Sequence, residues 1–133
     1  MVIGREPGPQ IELPGTNELH GRSARIPIRL RGEGLSADGV IELEEWSGGL
    51  DRFFAFFDDL ADGWRGWSGT KQWRDDGATV RFDATHDGIG LITFRVTLRS
   101  LPFDATGSWR TEAFVPVEPG VIGAIALEMR ALG

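Results

Sequence analysis

The residues with the clearest chemical potential in this chain are three aspartates close together, Asp58, Asp59 and Asp62. Asp58 and Asp62 are four residues apart, so in a helix their side chains are neighbours on one face. Hard divalent cations take about six or more oxygen ligands, and no dedicated ligand loop accompanies these aspartates. The pattern therefore predicts a solvated acidic face or a docking surface for a basic protein partner, and it predicts no metal site.

Candidate catalytic groups are few, because the only histidines are His20 and His86. His86 precedes Asp87-Gly88, a pair that favours a tight hairpin turn, and such a turn does not shelter a general base. The chain has no Cys and no Tyr, and it contains neither a Gly-x-Ser-x-Gly motif nor a phosphate-binding loop. We therefore predict a non-catalytic protein, with no catalytic residue and no cofactor.

Three tryptophans near the aspartates, Trp64, Trp67 and Trp73, predict either an exposed recognition surface or a covered core. Aromatic side chains beside an amphipathic element are usually buried, so core packing is favoured. Phe56 lies to one side of the apolar stripe of its segment and is expected to stay partly exposed. Among the aromatic residues, Phe56 and Trp67 are the predicted contacts to a protein partner, together with the three aspartates.

A helix over residues 49–63 must position these groups. Apolar residues recur there every three or four positions, at Leu50, Phe53, Phe54, Phe57, Leu60, Ala61 and Trp64. Burial contributes roughly 1.5 to 3 kcal/mol for each large apolar side chain, so this stripe is expected to anchor the core. A second amphipathic helix is predicted over residues 119–132, with Pro119 in its first turn. Its predicted buried stripe is Val121, Ile122, Ile125, Met129 and Leu132.

Alternating apolar and polar residues predict strands before and after the first helix. One set of side chains in the later strands is expected to face water: Arg81, Asp83, Thr93, Arg95, Thr97, Arg99, Arg110 and Glu112. The predicted class is α+β, with a mainly antiparallel sheet of about 6–7 strands and both helices on one face. Pro27 has no N–H to donate, so its strand is expected at a sheet edge or a bulge, which permits a monomer or a homodimer.

The domain organisation follows from the distribution of proline and glycine. Residues 1–24 are interrupted by Pro7, Pro9 and Pro14, and we expect an irregular segment with one short strand in residues 10–13. A single α+β domain is predicted over residues 25–133, because the remaining pattern fits one hydrophobic core.

Charge and composition exclude several classes of partner. The 133 residues carry a formal net charge of -6, which disfavours general affinity for nucleic acid or an anionic membrane. No apolar stretch approaches the roughly 18 to 20 residues that span a bilayer, and the first residues do not resemble a secretory signal. The absence of Cys fits a reducing compartment, so we expect a cytoplasmic protein.

Several motifs resemble a known family. They are Gly34-Leu35-Ser36-Ala37, Leu50-x-x-Phe53-Phe54, Trp64-Arg65-Gly66-Trp67-x-Gly69-x-x-x-Trp73 and Ala84-Thr85-His86-Asp87-Gly88. Together they resemble a family of small uncharacterised actinobacterial proteins, from about Arg25 to the C-terminus. That resemblance implies a fold and no catalytic residues. More loosely, the order of elements is similar to that of immunity proteins that neutralise bacterial toxins, and one fold hosts many functions.

Two functional hypotheses follow. The first is a protein-binding domain, immunity-like or antitoxin-like in its most concrete form, whose Asp58, Asp59 and Asp62 meet a basic patch on a protein partner. The alternative is a small-molecule-binding domain with a pocket between the aromatic helix and the sheet.

Overall fold

A computed structural model describes residues 1–100 and 107–133 of the chain. Within these residues it contains nine strands and two α-helices. The strands are β1 (Val2–Ile3), β2 (Gln10–Glu12), β3 (Glu18–His20), β4 (Ser23–Gly32), β5 (Leu35–Leu43), β6 (Thr70–Arg74), β7 (Val80–His86), β8 (Ile92–Arg99) and β9 (Arg110–Val117). The helices are α1 (Gly49–Asp62) and α2 (Ile122–Arg130), and short 3₁₀ turns at Glu45–Ser47 and Pro119–Val121 precede them.

The first sheet is built around β4. Strand β5 pairs with β4 along its whole length, β2 and β3 share the opposite side of β4, and β1 pairs with β2. Pro27 lies between Arg25, which is paired with β3, and Arg29, which is paired with β2. The prediction that Pro27 marks a sheet edge or a bulge is therefore wrong. A proline is tolerated in this central strand because neither β2 nor β3 pairs with it.

The second sheet is an antiparallel meander in the order β6-β7-β8-β9. Its alternation places Phe82, Phe94 and Val115 towards the core. The other face of this sheet carries Asp83, Thr97 and the arginines that the sequence predicts to face water. Asp83 and Thr97 are nevertheless buried, and the prediction that they face water is wrong. Arg81 and Arg95 donate to the Asp83 carboxylate and cover it.

Helix α1 packs its apolar stripe onto the second sheet. The Phe53 ring centroid lies 4.9 Å from that of Trp73, and the Phe57 centroid lies 5.8 Å from that of Phe82 in an edge-to-face arrangement. The start of the helix abuts the first sheet so closely that a Cβ on Gly49 would lie 2.2 Å from the Arg22 carbonyl oxygen. Only glycine fits there, and its φ of +52° also favours glycine.

Two aspartates join the sheets at the turn between β6 and β7. The Asp75 carboxylate accepts the N–H groups of Thr79 at 3.0 Å and Val80 at 3.1 Å within its own turn. It also accepts the Glu42 N–H of β5 at 2.9 Å, which links the turn to the first sheet. The Asp76 carboxylate accepts the Glu44 N–H at 2.7 Å on the same stretch of chain. Asp75 is only 3% exposed, so its carboxylate is a buried acceptor shared by both sheets.

The structure confirms the α+β class and both helices, and it corrects two details. The strands form two sheets, where the sequence predicts one sheet of about 6–7 strands. The segment 1–24, predicted to be irregular with one short strand, contributes β1, β2 and β3. Strands of two or three residues are too short to show a period, yet Ile3, Ile11 and Leu13 are fully buried.

Replacing Asp75 tests the junction between the sheets. The D75A substitution leaves the N–H groups of Glu42, Thr79 and Val80 without their acceptor, so we expect the free energy of unfolding to fall by about 3 kcal/mol or more. Urea denaturation measures this change. The matched control is D62A at an exposed position, expected to change stability by less than about 0.5 kcal/mol. A loss below about 1 kcal/mol in D75A would contradict the proposed role of Asp75.

The same turn contains a strained residue. Ala78 has a φ of +56°, which is unfavourable for any residue with a Cβ. We expect A78G to raise the free energy of unfolding by about 0.5 to 1 kcal/mol. The same substitution at exposed Ala55 in α1 should lower it by a similar amount, because glycine weakens a helix interior. If denaturation curves showed that both variants change the free energy of unfolding in the same direction, this interpretation would be wrong.

Candidate functional site

Two of the three aspartates of α1 form ion pairs with basic side chains of the same chain. Asp58 forms an ion pair with Arg130 of α2, and the Asp59 carboxylate lies 2.8 Å from the Lys71 Nζ of β6. Asp62 is exposed and forms no ion pair with a described residue. Two of the predicted docking residues therefore tie α1 to its neighbours. The face carries less uncompensated negative charge than its sequence implies.

The predicted aromatic contacts, Phe56 and Trp67, are both half-buried against the core. The Phe56 ring meets the Phe57 ring edge-on, with centroids 5.3 Å apart. Lys71 places its Nζ 5.0 Å from the centroid of the Trp67 ring. The Trp67 indole Nε1 is buried and has no hydrogen-bond partner among the described residues. Both rings therefore present only part of their surface to a partner.

The other two tryptophans of the cluster have different environments. Trp73 is buried among the rings of α1 and the second sheet, as core packing predicts. Trp64 is 46% exposed, because α1 ends at Asp62 and the ring lies outside the helical stripe. The Arg65 guanidinium carbon lies 5.1 Å from its ring centroid. The prediction that Trp64 completes the buried stripe is wrong.

His86 links the loop that contains Trp64 to the turn between β7 and β8. Its Nε2 lies 2.8 Å from the Trp64 carbonyl oxygen, which can only accept, so Nε2 carries the hydrogen. Its Nδ1 accepts the Gly88 N–H at 2.8 Å. Both ring nitrogens thus form hydrogen bonds with the backbone, and these bonds fit the Nε2–H tautomer.

Asp87 organises the turn that follows His86. Its Oδ1 accepts the N–H groups of Ile89, Gly90 and Leu91 at 2.8, 2.9 and 3.0 Å. These three hydrogen bonds hold the pKa of the Asp87 carboxyl below its ordinary value, and the bond from Gly90 contributes most. The ionised carboxylate therefore stabilises the shape of the turn that presents Leu91.

Leu91 lines an apolar depression of about 660 Å³ between the N-terminal segment, the β7–β8 turn and α2. We call it the α2 groove and define it by Val2, Pro9, Leu91, Val117, Val121 and Ile125. Strands β1 and β9 both line it, and neither pairs on its second side with a described strand. The depression is therefore lined in part by the edge strand of each sheet.

Sequence reasoning missed this groove for two reasons. Residues 1–24 are predicted to be irregular, so Val2 and Pro9 have no assigned neighbours. Val121 is predicted in the buried stripe of the last helix, but it belongs to the 3₁₀ turn before α2 and is 43% exposed. Its position next to Pro119-Gly120 was the available signal, because those residues favour a turn before the regular helix.

The space between α1 and the second sheet is filled. Phe53 and Phe57 are fully buried, and Phe57 has its ring centroid 6.2 Å from that of Phe94. The rings therefore occupy the position that the small-molecule alternative requires for its pocket. Among residues 1–100 and 107–133, no group of three or more His, Asp or Glu side chains is arranged to hold a metal ion. No helix in the described ranges has the length and apolar character needed to cross a membrane.

The Asp87 turn is expected to make the stability of the folded chain depend on pH. Because its pKa is lowered in the folded chain, the carboxylate stabilises that chain at pH values above the ordinary Asp value of about 3.9. This contribution is lost as the pH falls through the lowered pKa. We expect the stability difference between the wild type and D87N, which keeps a carbonyl oxygen but does not titrate, to shrink over that window. Denaturation at a series of pH values measures it, and a pH-independent or growing difference would contradict the prediction.

Comparison with known proteins gives one result. No curated protein matches the chain, and no solved structure matches it either. A family model does match, over residues 3–132, and so includes β2 and β3 of the N-terminal segment. The chain therefore belongs to a family of unknown function, DUF6228.

Proposed function

We propose that this chain is a non-catalytic protein-binding domain and that the α2 groove receives a segment of its partner. The observation that carries the proposal is the joining of exposed apolar side chains from three separate parts of the chain in one groove: Val2, Leu91 and Val121. Contiguous apolar surface of this kind marks binding sites on soluble proteins.

The groove favours an extended segment with a basic residue. Strands β1 and β9 line it and are each at the edge of their sheet, and an extended peptide can bind a sheet edge through main-chain hydrogen bonds. At the rim, Glu118 lies 3.5 Å from Arg5, whereas Glu128 is exposed and forms no ion pair with a described residue. A Lys or Arg of the partner would complement Glu128 while apolar side chains enter the groove.

The acidic face of α1 is a second candidate surface for the same function. Asp62 and Trp64 are exposed at its end, and Phe56 and Trp67 border it. In this form of the proposal, Asp58, Asp59 and Asp62 meet a basic patch on the partner. Two of these carboxylates would have to exchange Arg130 and Lys71 for cations of the partner, so this surface ranks below the groove.

We propose further that the chain is an actinobacterial, cytoplasmic protein, a monomer or a homodimer, which binds neither nucleic acid nor membranes in general. In the immunity-like or antitoxin-like version, the partner is a bacterial toxin. A toxin segment of the stated chemistry, extended and apolar with a basic residue, would fit the groove.

Selection from a displayed library of random peptides tests the groove. We expect the wild type to enrich peptides that combine apolar residues with Lys or Arg. The V121D variant places a carboxylate inside the groove and should weaken binding of the enriched peptides at least about tenfold in calorimetry. The matched control is L127D, the same kind of change on α2 at a residue that is 71% exposed and does not line the groove.

The outcomes separate the two surfaces. Retained affinity in L127D together with loss in V121D supports the groove. Equal loss in both variants, or no enrichment on the wild type, would refute the proposal. Peptides that keep their affinity for V121D but lose it in the triple variant D58N/D59N/D62N would assign binding to the acidic face of α1 instead.

A further inference from the structure

A basic cluster lies on the outer face of the second sheet, away from the α2 groove. We define the arginine cluster as Arg74, Arg81, Arg99 and Arg110, which come from four different strands. The register places Arg74 directly opposite Arg81, and Arg99 directly opposite Arg110. Like charges in directly opposed positions destabilise a sheet. Two such pairs therefore carry a cost in stability unless nearby negative charge compensates them.

The chain's own carboxylates compensate the arginine cluster only in part. Arg81 lies 3.0 Å from Asp83, which is also shared with the neighbouring Arg95, and Arg110 lies 3.1 Å from Glu112. The Arg99 Nε donates to the Ala78 carbonyl at 2.6 Å, which fixes the side chain without neutralising it. Neither Arg74 nor Arg99 has a carboxylate partner among the described residues. Counted over residues 1–100 and 107–133 alone, the cluster therefore has an excess of positive charge.

A cavity of about 240 Å³ opens between these arginines. All four line it, together with Thr79 and Thr97. Thr97 is only 7% exposed, and its Oγ1 has no hydrogen-bond partner among the described residues. A buried hydroxyl without a partner is costly, and most such groups in proteins are satisfied. Thr97 thus places a hydroxyl without a partner among the described residues in the wall of this cavity.

We propose that this cavity binds the phosphoryl group of a small phosphate monoester. Guanidinium groups recognise phosphate oxygens through paired hydrogen bonds, and a threonine hydroxyl donates one more. A dianion would neutralise the excess charge of the arginine cluster. The cavity has room for the phosphoryl group and a few atoms of its carrier, which remain at the open side. The cavity and the α2 groove are lined by different residues, so this site does not depend on the proposed protein-binding function.

A nucleic acid fits the same observations less well. Polyanions bind along extended basic tracks, and their affinity rests on many phosphate contacts. Here the basic residues are confined to one cavity, the carboxylates of Asp83 and Glu112 lie within the same face, and the whole chain is acidic. The geometry favours a single phosphoryl group.

Calorimetric titration of the full chain tests the site, with inorganic phosphate and glycerol phosphate as probes and sodium chloride at matched ionic strength as the reference. We expect both phosphates to bind and to raise the melting temperature above the chloride reference. Tighter binding of glycerol phosphate would identify a monoester as the ligand class. If neither phosphate differs from chloride, if only inorganic phosphate binds, or if an oligonucleotide binds while glycerol phosphate does not, the proposal is wrong.

Three variants connect binding to the named groups. R74Q and T97V should each raise the Kd for glycerol phosphate about tenfold, the effect of removing one hydrogen bond to a charged ligand. R65Q is the matched control, because Arg65 is an exposed arginine outside the cavity. Its Kd should equal that of the wild type.

The stability of the unliganded variants separates a binding role from a structural one. R74Q removes one member of an opposed arginine pair, and T97V replaces an unpartnered hydroxyl with a methyl group of similar shape. Without phosphate, both should therefore melt at the wild-type temperature or above it. A lower melting temperature in either variant would show that the residue stabilises the fold, and it would overturn the proposal, as would an equal loss of affinity in R65Q.

Discussion

The buried carboxylate of Asp75 is the interaction on which the rest of this structure depends. It accepts hydrogen bonds from the β6–β7 turn and from β5, so it joins two sheets that share no ladder. The adjacent Asp76 extends the junction, because its Oδ1 accepts the Ser47 hydroxyl at 2.7 Å just before α1. One turn is therefore hydrogen-bonded both to the first sheet and to the segment that leads into the aromatic helix.

The same turn shapes the proposed phosphoryl site. Arg74 ends the strand before it, and Thr79 follows it, so both edges of the cavity are attached to the Asp75 junction. Ala78 adopts a strained φ of +56°, and its carbonyl oxygen accepts the hydrogen bond from the Arg99 Nε. Local strain at a turn is maintained only where surrounding contacts over-determine it, and here those contacts hold an arginine of the cluster in place.

The sequence predicts the long, periodic elements of the chain, and it fails where contacts are non-local. The stripe from Leu50 to Leu60 and the alternation from Ile92 to Arg99 repeat often enough to be read. Asp75 gives no such signal, because an aspartate before Asp-Gly is typical of any solvated turn. The ion pair of Asp58 with Arg130 joins residues far apart in the chain, and no local pattern shows that the acidic face is partly neutralised.

Strand β9 connects the two proposed surfaces and keeps them apart. Arg110 at its start belongs to the arginine cluster, and Val117 at its end lines the α2 groove. At about 3.4 Å per residue, these positions are separated by over 20 Å along the strand. Because β9 pairs with β8 from Arg110 to Val117, it is braced over this whole length. A strand held in this way does not bend readily. A phosphoryl group at one end and a peptide at the other would therefore bind as independent ligands, and a coupling between them would require the β8–β9 register to shift.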